Sequence, residues 1–150
     1  MRRLIAALLL LVAGAAAAGA EDLVFPRGEL WIESAGTRHH FEIELAESSR
    51  QMARGLMFRS ELADNAGMLF DFGRTGPIAM WMKNTLIPLD MLFVDARGSI
   101  THIARWTTPL SLETISSHGP ARAVIEIKGG RAAQLGIAPG DTVIHPTFVP

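Results

Sequence analysis

Cysteine and tyrosine are both absent from the 150-residue chain, and charge is sparse and almost balanced, with 14 Lys+Arg against 15 Asp+Glu. Without cysteine there are no disulfides, thiolate zinc sites, iron–sulfur clusters or cysteine nucleophile. Without tyrosine, one acid–base and stacking residue is lost. A formal net charge of −1 and a pI near 6.5 argue against holding nucleic acid by phosphate neutralisation, which needs a basic surface. Beyond the N-terminus no stretch offers ~18 uninterrupted apolar residues, so no transmembrane segment is expected there. Hydrophobic residues at 49% and charged residues at 19% are the composition of a globular chain, not a disordered one. The length fits one domain.

The N-terminus has a different character. Arg2 and Arg3 precede an apolar run from Leu4 to about Val12, and small residues follow, ending in Ala18-Gly19-Ala20. This order of positive, apolar and A-x-A segments predicts a signal peptide over residues 1–20, cleaved after Ala20. The expected location is then periplasmic or secreted, with a single domain over 21–150.

Within that domain, Leu30-Trp31-Ile32 and Phe41-Glu42-Ile43-Glu44-Leu45 alternate with period two around the turn Ser34-Ala35-Gly36-Thr37. The pattern predicts an antiparallel hairpin with Phe41, Ile43 and Leu45 inward. Ser48 followed three residues later by Gln51 is a capping-box pattern opening a short helix, and Gly55 is its natural terminator. A second helical turn is expected from Ser60. Further strands are expected at Met68–Phe72, Ile78–Met82, Met91–Val94, Ile100–Arg105, Ala121–Ile127 and Thr142–His145, with a helix from Gly130 to Leu135. Many short strands with two or three short helices predict an α+β domain that is predominantly β, barrel-like or a sandwich.

Three long words in the middle of the chain are distinctive: Gly55-Leu56-Met57-Phe58-Arg59, Gly67-Met68-Leu69-Phe70-Asp71-Phe72, and Trp81-Met82-Lys83-Asn84-Thr85-Leu86-Ile87-Pro88-Leu89-Asp90. With Val124-Ile125-Glu126, Gly129-Gly130, Leu135-Gly136-Ile137 and Gly140-Asp141, they resemble the family called domain of unknown function 192. The resemblance covers nearly all of residues 21–150. It implies a small, often exported, β-rich barrel-like domain and no assigned activity. Met80 stands where that family more often carries an aromatic residue.

Lys83-Asn84-Thr85 is the densest polar cluster, and Trp81 beside it offers a stacking platform. Together they suit a polar small molecule or a sugar, while the alternative is a capped tight turn with a solvated lysine. Asp90 and Glu126 each sit on otherwise apolar strand faces, where a carboxylate is costly unless it is paired. Arg54, Arg59 and Lys83 are the candidate counter-charges. The two carboxylates could instead serve as a hydrolytic pair if they stood roughly 5–10 Å apart across a cleft. Met80 and Met82, two apart around Trp81, raise a Cu(I) site of thioether sulfur, against the ordinary use of methionine to fill core gaps. The five histidines show no H-x-H or H-x-x-x-H spacing, so no histidine zinc site is expected. Ser111, Ser116 and Ser117 lack a nucleophile elbow, and Gly129-Gly130 lacks phosphate-loop spacing.

The expectation is therefore a monomeric binding module, not a catalyst, with no cofactor and no catalytic residue. Its ligand-binding surface would be Trp81, Lys83, Asn84 and Asp90, supported by Arg54, Arg59 and Glu126. The partner would be an unidentified small polar ligand, a glycan among the possibilities, or an envelope protein. The alternatives are a periplasmic Cu(I) carrier using Met80, Met82 and Trp81, and a small hydrolase using Asp90 and Glu126.

Overall fold

A computed structural model describes residues 23–148. Residues 1–20, expected from sequence to be a signal peptide, lie outside the described residues. Seven strands form one sheet: β1 (Arg27–Ser34), β2 (Thr37–Ala46), β3 (Ala66–Met80), β4 (Leu89–Val94), β5 (Ile100–Ala104), β6 (Ile115–Lys128) and β7 (Thr142–Ile144), in the order β5-β4-β6-β3-β2-β1-β7. Helix α1 (Ser49–Arg54) follows β2, helix α2 (Arg131–Gln134) follows β6, and a 3₁₀ turn spans Pro146–Phe148. The domain is α+β and predominantly β, as the alternation implied.

The sheet is antiparallel except for the β2–β3 pair. It curls so far that its two edges meet at one corner. Ser99 bridges Thr142, Val143 N donates to Gly98 O at 2.7 Å, and Ile100 N donates to Asp141 O at 2.9 Å. This contact covers part of two edges that would otherwise expose unpaired backbone.

Each face carries its own apolar cluster. The enclosed face holds Leu30, Ile32, Phe41, Ile43, Leu92, Val94, Ile125 and Ile127, all buried. The other face holds Met68, Phe70, Met91, Phe93 and Val124, and is covered by Leu56 and Met82 from the loops.

Local signals decided most elements. Ser48 caps α1 and exchanges hydrogen bonds with Gln51 in both directions. Expected strands 68–72 and 78–82 are one strand, β3, irregular between Asp71 and Gly76 and ending at Met80. No helical turn forms at Ser60; residues 60–65 run as a loop into β3. Nothing in that stretch supplies the apolar stripe a helix would need to bury.

Where β3 passes between β2 and β6 the backbones come close. A Cβ on Gly67 would lie 2.7 Å from the Glu126 carbonyl oxygen, a backbone atom that cannot swing aside. Gly67→Ala is expected to cost roughly 1–3 kcal/mol through this overpacking. Urea unfolding would measure it, and a loss under ~0.5 kcal/mol would show that the two strands can part.

Candidate functional site

Glu126 stands directly opposite Met68 of β3 on one side and Met91 of β4 on the other. Only 4% exposed, it has no hydrogen bond or ion pair to its carboxyl among the described residues. Its side chain lines a cavity of about 260 Å³ between the sheet and the α1 segment. Burial pushes its pKa from 4.5 up to about 8. At neutral pH it is thus a carboxylic acid that can donate one hydrogen bond and accept others.

The walls come from three segments. Met52 and Arg54 are on α1, Leu56 and Met57 are on the turn after it, and Phe70, Phe72 and Met80 are on β3, with Trp81 next in sequence. Gly55 sets the descent of the turn onto the sheet. It has φ +47°, and a Cβ there would come within 3.1 Å of the Phe70 ring. Only glycine combines that backbone with that approach. The turn is then tied to the loop after β3: Phe58 N donates to Asn84 O at 2.8 Å, and the Asn84 amide donates to Met57 Sδ at 3.9 Å.

The seven residues expected from sequence divide three ways. Glu126, Arg54 and Trp81 line the one cavity. Lys83 and Asn84 do not line it but touch residues that do: the Lys83 ammonium lies 5.1 Å over the Trp81 ring, while Asn84, at φ 54°, shapes the loop and braces Met57. Arg54 itself is exposed, with its guanidinium 4.7 Å over the Phe58 ring. Arg59 faces elsewhere; it pairs with Glu44 and lies 5.9 Å over the Phe25 ring.

Asp90 is on the opposite face of the sheet from Glu126. The β4–β6 register sets Asp90 against Ile127 and Met91 against Glu126, so the two carboxylates project in opposite directions. Fully buried, Asp90 accepts from three backbone N–H groups: Trp106 at 2.9 Å, Gly130 at 3.0 Å and Ala132 at 3.0 Å. Its counter-charge is this set of backbone dipoles, and neither Arg54, Arg59 nor Lys83 pairs with it.

Met80 and Met82 part company. Met80 lines the cavity, whereas Met82 is fully buried with its sulfur 3.1 Å from the Thr107 hydroxyl. Met52 and Met57, which carry no metal-ligand motif in the sequence, are the methionines that join Met80 around the cavity. Their signal was positional, since both flank the capped helix end that closes over β3. Among the described residues, no group of three or more His, Cys, Asp or Glu is placed to hold a metal. A larger groove, about 530 Å³, lies between Ser60–Ala63, Ile87–Pro88 and Trp106. None of its polar groups is buried, and the smaller cavity is the chemically distinct one.

Two solved structures share this architecture. A protein of Sinorhizobium meliloti described as a candidate transcription regulator is 38% identical, with a TM-score of 0.82 over 84% of this chain and 98% of that one. A protein of unknown function from Novosphingobium aromaticivorans is 41% identical, with a TM-score of 0.77 over 79% of this chain and 85% of that one. No protein of curated function matches the chain. The model of domain of unknown function 192, described as uncharacterized ACR, matches residues 30–145, and the chain belongs to that family.

Proposed function

We propose that the chain is a non-catalytic binding module, working in the periplasm or outside the cell, that takes a small ligand into the Glu126 cavity. One observation carries this reading: the carboxyl of Glu126, a residue only 4% exposed, opens onto a cavity and has no partner within the described residues. Burying such a group unpartnered costs free energy, which a ligand that hydrogen-bonds to it would restore. The lining is mostly apolar, with Arg54 at the rim. That supports a ligand with an apolar body and one polar group directed at Glu126, in preference to a polyol. The Lys83 ammonium over Trp81 also competes for the ring face a sugar would use.

Hydrolysis by paired carboxylates is disfavoured, because Asp90 and Glu126 leave opposite faces of the sheet. A regulatory role like that assigned to the Sinorhizobium neighbour finds little support in charge or helices. The net charge is −1, and helices of six and four residues offer no recognition helix. Among the described residues no helix is long and apolar enough to cross a membrane.

The test is a thermal-shift screen with amino acids, short aliphatic and aromatic acids, sugars and peptidoglycan fragments, run on the wild type and on Ala79→Phe. Ala79 is exposed and lines the cavity, so phenylalanine there blocks it without entering the core. A ligand at a hundredfold excess over Kd stabilises the wild type by about 2.7 kcal/mol. Ala79→Phe should melt within a few degrees of the wild type and lose the shift. A shift that survives the substitution would overturn the reading of this cavity as the site, and silence across the screen would overturn an organic ligand for it.

A further inference from the structure

Three of the chain's seven methionines converge on the Glu126 cavity. Met52 arrives from α1, Met57 from the turn after it, and Met80 from the end of β3. The Met57 thioether is held in place by the Asn84 amide, 3.9 Å away. The same cavity is lined by Glu126, a residue only 4% exposed whose carboxyl has no partner among the described residues. Filling a core does not require three methionines and a carboxyl-bearing residue around one cavity.

We infer that this cavity is a Cu(I) site, with Met52, Met57 and Met80 as thioether ligands and Glu126 as the anionic ligand, its carboxyl releasing a proton to solvent as the metal binds. The inference rests on the reading of the cavity as a binding site and gives it a soft metal ion as an occupant distinct from the organic ligand. Softness selects the ion. Calcium needs six or more oxygen ligands and magnesium near-octahedral oxygen, and this cavity offers one carboxyl. Structural zinc is held by thiolate, imidazole and carboxylate, and here neither cysteine nor histidine lines the walls. Neutral thioethers favour Cu(I).

Charge points the same way. A monovalent cation on one carboxylate leaves the assembled site neutral, which an apolar cavity tolerates far better than a net charge. A divalent ion would leave it positive. Arg54 is the other charged group in the lining, but its guanidinium lies 4.7 Å over the Phe58 ring at the exposed rim. The site differs from the adjacent-methionine pair suggested by sequence. Met82 is sealed in the core beside Thr107, and Met52 and Met57 take its place.

The experiment is competition for Cu(I), kept reduced with ascorbate, between the purified protein and bicinchoninate. The protein should withdraw one equivalent of copper. Met57→Leu and Met80→Leu should each weaken binding about tenfold or more, the double variant should abolish it, and Glu126→Gln should weaken it about tenfold. Leucine for methionine conserves volume, so these variants should stay folded. Met68→Leu, in the neighbouring core, is the control and should bind like the wild type. Binding should also quench Trp81, and the quenching should vanish in Trp81→Phe. No withdrawal of copper would overturn the inference, as would undiminished binding by the double variant or a preference for Zn(II). Organic ligands that bind and are blocked by Ala79→Phe, with copper left on the chelator, would sink the copper assignment alone. Silence in both experiments would sink the binding reading with it.

Discussion

Asp90→Ala is expected to destabilise the domain by roughly 3–5 kcal/mol, the range for stripping the partner from buried, charge-assisted hydrogen bonds. The reason is the three backbone N–H groups that Asp90 satisfies from near the start of a fully buried strand. Trp106 belongs to the loop after β5, and Gly130 and Ala132 open α2, whose N-cap is a glycine with no side chain of its own. One carboxylate thus performs the capping that a serine or aspartate at the helix start would normally provide, and pins a second loop as well. Asp90→Asn should lose about half as much. Its amide oxygen can keep two of the three bonds, but its NH₂ then faces a backbone donor. Urea unfolding of both variants measures these losses. A loss under ~1 kcal/mol for Asp90→Ala would mean that water reaches all three N–H groups. Because Asp90 and the Glu126 cavity occupy opposite faces, Asp90→Asn should leave ligand and copper binding intact wherever the protein remains folded.

Both buried carboxylates were visible in the sequence for one physical reason: an acid at an apolar strand position must be answered by something. What answers each was not visible. The donors to Asp90 lie 16, 40 and 42 residues away and are backbone atoms, so no side-chain pattern announces them. Period-two alternation gives the face of each residue within its own strand, but not how two strands register. Only the pairing of Met91 with Glu126 sends Asp90 and Glu126 to opposite sides. Elements with local signals were legible, including the β1–β2 hairpin and the Ser48–Gln51 capping box. The parallel β2–β3 pair and the meeting of the β5 and β7 ends depend on long-range closure and leave no local trace. The cavity falls in the same class, since Met52, Met57 and Met80 are core-like residues until the turn at Gly55 folds over β3.

Glu126 should make the protein lose stability as pH rises through neutrality, and Glu126→Gln should remove that loss. Below about pH 4.5 the carboxyl is protonated in both folded and unfolded chains and contributes no slope. From there up to about pH 8 the unfolded chain releases the proton while the folded chain keeps it. The native state then binds more protons than the unfolded one, so stability falls by about 1.4 kcal/mol per pH unit. Above about pH 8 the folded carboxyl ionises too and the loss is complete, on the order of 5 kcal/mol in all. Two histidines pull the other way. Burial and the neighbouring His118 push His102 down, and burial pushes His145 down against the pull of Asp71. Folding with either one neutral gains stability as pH rises through the ordinary histidine range. The difference between wild type and Glu126→Gln cancels their contribution. That difference, from urea unfolding at pH 5 and pH 8, should favour the variant by several kcal/mol more at the higher pH. Equal slopes would place the carboxyl in contact with water in the folded state. The cavity would then hold no buried acid, and a ligand would recover no desolvation cost by bonding to it.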